Sequence, residues 1–256
     1  YGPWRKFGMT LARIYLTGRM AIEGTKLIDE GSLPGVQGRV ALAALSLTPH
    51  PIGRDHLAEI MWGEDIAEGW EKSLAPILSK LRRAIADAGI SGASIVSSTG
   101  AVELRREEPF WVDVLAAVTA LDAAEGELRT GNHRAAWVGG AVATAVFRRP
   151  FLPGASSDWV NQQRRSLHNW LLRSYEVVAD SWEGLGQPQQ AAIAARQLIS
   201  IDPFRESGYV RLIRAHAAQG NRAEAVRVFS EAREFLVTEL GVEPSDRLQE
   251  AYEEIL

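Results

Sequence analysis

Cysteine is absent from the 256 residues. That excludes a disulfide scaffold, a zinc site built on thiolates and thiol catalysis. It suits a reducing compartment, and a cytoplasmic protein is the expectation. Long apolar runs are missing as well: none approaches the ~18 residues that span a bilayer, so no membrane partner is expected. No N-terminal apolar segment with a cleavage site is visible, so a secreted form is not expected. The chain does not begin with methionine, and residues 1–8 are read as an addition or an internal start, outside the fold. An excess of one charge is lacking too. The formal net charge is −4; residues 1–110 carry 13 Lys+Arg against 13 Asp+Glu, and residues 111–256 carry 15 against 19. Any nucleic-acid contact must therefore come from a local patch and not from a global field.

Catalytic motifs are also wanting. There is no Gly-x-x-x-x-Gly-Lys-Ser/Thr loop and no Gly-x-Gly-x-x-Gly. The five histidines, His50, His56, His133, His168 and His216, show no i, i+4 pair, and surface or capping roles are expected for each. Gly154-Ala155-Ser156-Ser157-Asp158 reads as a loop capping a helix that starts near Trp159. No carboxylate pair is spaced for acid–base work. Neither an enzyme nor a cofactor or metal is expected.

What is present is an ordinary globular composition, 46% hydrophobic and 23% charged, with length for two domains. Residues 11–35 alternate as strands, with Ala12–Leu16 and Met20–Ile22 flanking a turn. Three helices are predicted next, over about Gln37–Leu47, Arg54–Met61 and Trp70–Ala88. Ile95–Leu104 then reads as two short strands around a tight turn. Charged, proline-containing residues 105–111 mark a boundary, and everything beyond Val112 reads as helical. The domains expected are thus 1–110 and 111–256.

The second half repeats itself. Gly186 and Gly220 lie 34 residues apart, each followed five residues later by alanine (Ala191, Ala225). That is the tetratricopeptide period. Gly131 and Ala136 keep the internal spacing 55 residues before Gly186, implying an insertion of 21 residues around Pro150–Gly154. Glycine would end the first helix of each pair, and alanine would let the second pack closely. Trp137, Trp170, Trp182, Tyr209 and Phe229 would supply bulk between helices. Helix packing without a true repeat is the alternative.

The third predicted helix divides into two faces. At ~100° per residue, Leu74, Leu78, Leu81 and Ile85 share one direction, with Ile77 just beyond. Lys72, Pro76, Ser79, Lys80 and Arg83 point the opposite way, with Arg82 on the flank. Such a face suits a major groove, where cations and hydroxyls meet guanine acceptors and phosphates. A solvated face of a bundle helix is the competing reading. The hairpin that follows favours DNA, because helices followed by a hairpin is the winged-helix order.

Two stretches then carry a resemblance. Leu57-Ala58-Glu59-Ile60-Met61-Trp62-Gly63, followed by Ser73-Leu74-Ala75-Pro76-Ile77-Leu78-Ser79-Lys80-Leu81-Arg82-Arg83-Ala84-Ile85, resembles the OmpR-type winged helix of the SARP family of bacterial transcriptional activators. Asp202-Pro203-Phe204-Arg205-Glu206 and Glu234–Ser245 resemble the bacterial transcriptional activator domain that follows it in that family. The resemblance implies a mainly α chain: an N-terminal α+β winged helix, then an all-α tetratricopeptide-like repeat domain. It departs from the family in two places. Gly100-Ala101-Val102-Glu103-Leu104 lacks the usual wing tyrosine and carries an acid where a base is usual. Pro76 lies inside the third helix, where it should kink the helix or delay its start.

The implied function is that of a sequence-specific DNA-binding activator. Lys72, Ser79, Lys80 and Arg83 are the expected groove contacts, Arg82 a phosphate contact, and Ser97, Ser98 and Thr99 neutral contacts from the hairpin tip. The acidic loop with Glu64, Asp65 and Glu68 is assigned to RNA polymerase, against the plainer reading of a solvated connection. Double-stranded DNA and RNA polymerase are the implied partners. A small-molecule or protein effector in the repeat groove and a homodimer are further candidates. The rival reading is a helical-repeat binding module whose winged helix has lost DNA.

Overall fold

The structure is a computed structural model that describes residues 12–63, 66, 68–90, 93–106 and 111–256, with the side chain of residue 106 excepted. Two compact units form. One comprises the described residues up to Ala116 together with Arg149–Leu167; the other comprises Ala117–Arg148 and His168–Leu256.

The first unit opens with β1 (Arg13–Tyr15), β2 (Ala21–Glu23) and β3 (Leu27–Ile28). After a single 3-10 turn at Glu30–Ser32 come α1 (Gly35–Leu47), β4 (Ile52–Gly53), α2 (Arg54–Trp62) and α3 (Trp70–Asp87). β5 (Ala93–Ser98), β6 (Ala101–Arg106) and β7 (Trp111–Val112) follow. One sheet has the order β3-β2-β1-β7 and the other β4-β6-β5. The closing strand β7 lies parallel to β1, pairing Ile14 with Val112. β3, β4 and β7 are only two residues long, too short for an alternating pattern to reveal in sequence.

α1 is buried on nearly every side from Val40 to Ser46, which explains its all-round Ala/Leu/Val composition. α3 instead buries a stripe: Leu74, Leu78, Leu81 and Ile85 are each at most 2% exposed. It starts at Trp70 and runs through Pro76, so the proline does not delay the start. Lacking an N–H, Pro76 leaves the Lys72 carbonyl without its intrahelical partner. The end of α3 is tied to the β2–β3 connection, where Lys26 N–H donates to the Ala88 carbonyl at 3.1 Å. That approach needs Gly24, since a Cβ there would sit 2.4 Å from the same oxygen.

Residues 149–167 join the first unit through backbone contacts. Gly18 N–H donates to the Pro150 carbonyl at 2.8 Å, and Thr17 forms an isolated antiparallel bridge with Phe151. Arg164 donates to the Phe151 and Leu152 carbonyls at 3.1 and 2.8 Å. The expectation that only helix lies beyond Val112 is therefore corrected at Phe151, where the inserted segment supplies one residue of β pairing. This return of the chain also separates the observed units from a single cut at 110/111.

The remaining helices are α4 (Asp113–Arg129), α5 (His133–Phe147), α6 (Asp158–Gly184), α7 (Pro188–Ile201), α8 (Glu206–Ala218), α9 (Arg222–Leu240) and α10 (Asp246–Glu253). Ser157 caps α6, its hydroxyl accepting from Val160 N–H at 3.4 Å. In the second unit, the turns at Gly131, Gly186 and Gly220 are built alike. Each glycine has a positive φ of 76°, 66° and 74°. Each donates to the carbonyl three residues back, and the next residue donates to the carbonyl five back. This is the Schellman arrangement, three times over. Ala136, Ala191 and Ala225 are at most 3% exposed, as expected of the small residues that bring paired helices together. Trp137 packs on Trp182 with centroids 5.0 Å apart, and Phe229 stacks on Tyr252 at 4.1 Å. The mainly α, tetratricopeptide-like architecture expected from the sequence is the one observed.

Candidate nucleic-acid interface

The solvent face of α3 gathers the residues expected to touch DNA. Lys72, Ser79, Lys80 and Arg83 are all exposed, as is Pro76 between them. Lys72, Pro76, Ser79 and Arg83 follow one another at i, i+4, i+7 and i+11, a stripe about 16 Å long at 1.5 Å per residue. Lys80 flanks it. None of the three cations has an acidic partner among the described residues. Among the described residues, their charge is free to meet an anion.

Arg82 is engaged elsewhere. Its Nε donates to the Ile95 carbonyl at 2.6 Å and its Nη2 to the Ser97 hydroxyl at 2.9 Å. Residues 95 and 97 lie on one face of β5, so one guanidinium grips two successive positions of the hairpin. Two further ties hold the hairpin. β4 pairs with β6, Ile52 opposite Val102, and Arg54 N–H at the start of α2 donates to the Gly100 carbonyl at 2.8 Å. The hairpin is fixed from both α2 and α3.

The hairpin tip is a two-residue turn between Ser98 and Ala101, which pair with each other. Thr99 and Gly100 both have positive φ, 26° and 81°. That is the type I′ requirement, which glycine meets freely and a β-branched threonine meets under strain. Ser97, Ser98 and Thr99 are exposed. Glu103 accepts two bonds from Arg105, at 2.9 and 2.5 Å. The hairpin therefore presents a compensated ion pair at this position. Of the acidic loop, Glu68 is exposed in the turn before α3, while Glu64 and Asp65 lie outside the described residues.

Other expectations are redistributed. His216 is only 6% exposed, correcting the expectation of surface or capping roles for all five histidines. Its place on the α7-facing side of α8 buries it. Among the described residues no three metal-ligating side chains come together, and no helix is long and apolar enough to cross a membrane. Two structural residues escaped the sequence reading. Arg82 was legible as a cation on the flank of α3, but not as a brace. Asp113 carried the signal of an acid at the start of a helix, which gives no hint of its long-range bonds to Leu16 and Thr17.

Residues 112–256 match the family model described as "Bacterial transcriptional activator domain". The chain belongs to that family. The family is one of transcriptional activator domains and not of enzymes, and the resemblance to SARP-type activators is borne out by relatives along almost the whole chain. The chain is 27% identical to the regulatory protein AfsR of Streptomyces griseus over 241 residues, covering 92% of this chain and 23% of that protein. It is 24% identical to the transcriptional regulatory protein MoaR1 of Mycobacterium tuberculosis over 238 residues, covering 92% of this chain and 75% of MoaR1. It spans under a quarter of the AfsR length. Its fold is shared with Mycobacterium tuberculosis EmbR, solved in complex with a low-affinity phosphopeptide. The TM-score is 0.84 at 20% identity, over 96% of this chain and 65% of that one.

Proposed function

We propose that this chain is the DNA-binding and activator portion of a transcriptional regulator, with α3 as its major-groove helix. The observation that carries the proposal is the exposed face of α3, whose three cations lack acidic partners among the described residues, beside a hairpin fixed by Arg82. The named regulators AfsR and MoaR1, similar along 92% of the chain, support the same reading. Lys72, Ser79, Lys80 and Arg83 contact bases and phosphates. Ser97, Ser98 and Thr99 reach the adjacent backbone as neutral donors. Arg82 serves indirectly, by holding the hairpin at a set distance from α3. The compensated Glu103–Arg105 pair leaves the hairpin a minor electrostatic contributor, so most of the salt-sensitive affinity comes from α3. RNA polymerase is the proposed second partner, through the turn that includes Glu68.

The test is fluorescence anisotropy on duplexes from the protein's own promoter region and on random duplexes, at several salt concentrations. The proposal expects log affinity to fall with log salt by about 0.9 for each phosphate contact. Absence of salt-dependent binding to every duplex overturns it and leaves the helical repeat as the functional part.

A further inference from the structure

A cavity of about 230 Å³ opens in the second unit between α7, α8 and α9. It is lined by the apolar Ile199, Leu212 and Val228 and by the polar or charged Arg196, Tyr209, His216, Arg227 and Glu231. Tyr209 and His216 stand at the two ends, seven residues apart on α8 or about 10 Å along the axis.

The ends differ in charge. At one, the Arg196 Nη2 lies 3.3 Å from His216 Nε2. A guanidinium only donates, so Nε2 accepts, the imidazole is neutral and its proton sits on Nδ1. Burial, then the Arg196 charge, hold this imidazole below the usual histidine range. Nδ1 is itself buried and has no hydrogen-bond partner among the described residues. Arg196 makes no ion pair with a carboxylate among the described residues; Glu224 acts on it only through space, so its remaining N–H groups are unclaimed at the cavity wall. Arg227, by contrast, is held by Glu224 at 2.6 Å and Glu231 at 3.3 Å. At the other end Tyr209 is 8% exposed, and its hydroxyl has no partner among the described residues. Burial, with the carboxylates of Glu231 and Asp202 nearby, pushes the phenol up and keeps it a neutral donor. Those carboxylates repel an anion from the Tyr209 end. An anionic head therefore belongs at Arg196.

We propose that this cavity is a binding site for a small monocarboxylate with a short branched apolar body. The carboxylate lies against the free N–H groups of Arg196, a charge-assisted bond of the kind a planar guanidinium favours. The apolar body covers Ile199, Leu212 and Val228. At about 30 Å³ per water-sized unit, the volume holds about seven or eight non-hydrogen atoms. Binding would bridge three successive helices of the repeat, so the ligand's natural effect is to tighten α7 and α9 onto α8. The proposal is independent of DNA binding.

The experiment is a methyl and aromatic NMR titration of the whole chain with isovalerate, with acetate and isovaleramide as controls. Saturable shifts at Tyr209, Leu212 and Val228 are expected, with a dissociation constant on the order of 1 mM, the scale such a small ligand reaches. Isovaleramide, the same shape without the charge, should bind at least about tenfold weaker, the loss of one charge-assisted bond. Acetate, with the charge but little apolar body, should also bind several-fold weaker. Arg196→Gln, at an exposed position, should lose isovalerate to the same extent as the amide control while the spectrum away from the cavity stays unchanged. The proposal is overturned if the isovalerate shifts do not saturate. It is equally overturned if amide or acetate matches isovalerate, or if Arg196→Gln binds as wild type does. The two control ligands need no variant and decide the matter even if Arg196→Gln fails to fold.

Discussion

The buried carboxylate of Asp113 holds Thr17 twice, accepting from its N–H at 3.0 Å and from its hydroxyl at 2.8 Å. Its other oxygen accepts from the N–H groups of Leu16 and Val114, at 2.9 and 2.8 Å. One side chain, 1% exposed, thus satisfies the end of β1 and the first turn of α4 together.

Asp113→Ala should therefore cost on the order of 3 kcal/mol, because it leaves several buried donors without acceptors. Asp113→Asn should cost nearly as much, since its amide group turns two donors toward donors. Denaturant unfolding monitored by circular dichroism gives both values through the shift in midpoint at constant slope. A loss under 1 kcal/mol for either would show that water replaces the carboxylate.

Arg82 and Arg83 are neighbours in sequence with different expected phenotypes. Arg83→Ala, Lys72→Ala and Lys80→Ala should each flatten the salt slope of DNA binding by about 0.9 where a phosphate contact is removed. Arg82→Ala should weaken binding with the slope unchanged, and should speed amide exchange in β5. A flattened slope for Arg82→Ala would return it to the role of a phosphate contact.

The three alanines behind the Schellman turns should tolerate no added bulk. Ala136→Leu, Ala191→Leu and Ala225→Leu should each lose about 1–3 kcal/mol through overpacking. Thermal unfolding reads this directly, and three unchanged melting temperatures would contradict close packing at those positions.

Thr99 should be improvable. Asn or Gly at this position relieves a positive φ on a β-branched residue and should stabilise the chain by up to about 1 kcal/mol. Differential scanning calorimetry of Thr99→Asn and Thr99→Gly checks it; destabilisation by both would mean that the threonine side chain makes a compensating contact.

Stability should also fall in acid through Glu176. Burial alone would raise this carboxyl, but bonds from Arg205 and Ser207, with the charge of Arg211, hold it below the usual range. A group depressed in the folded state contributes fully above its ordinary value of 4.5 and loses that contribution as pH falls through the lower, folded value. Glu176→Gln should therefore flatten the stability profile below about pH 4.5. An unchanged acid limb would assign the loss to other carboxylates.

Much of this was legible in the sequence because it depends on period or on a local turn. The α3 stripe follows a 3.6-residue repeat over about three turns, and the Schellman glycines recur with alanines at a fixed offset. What escaped depends on pairing between distant segments. β7 is two residues long and exists because β1 offers an edge beside it. The return of Phe151 to Thr17 spans an insertion that carries no strand pattern of its own. The α3 face was readable as cationic, yet the division of labour between Arg82 and Arg83 was not. It turns on where the Ile95 carbonyl and the Ser97 hydroxyl lie once the hairpin has folded.

The three ties on the hairpin, from Arg82, from β4 and from Arg54 N–H, bear on the energetics of association. A wing that swings freely must be immobilised when it meets a partner, and that loss of freedom is subtracted from the affinity. Here the immobilisation is already complete when the chain folds. Under the proposed reading, docking is close to rigid-body: helix and hairpin arrive as two prongs at a fixed separation. Discrimination then extends to the width and bend of the duplex between them, at base pairs that no side chain touches.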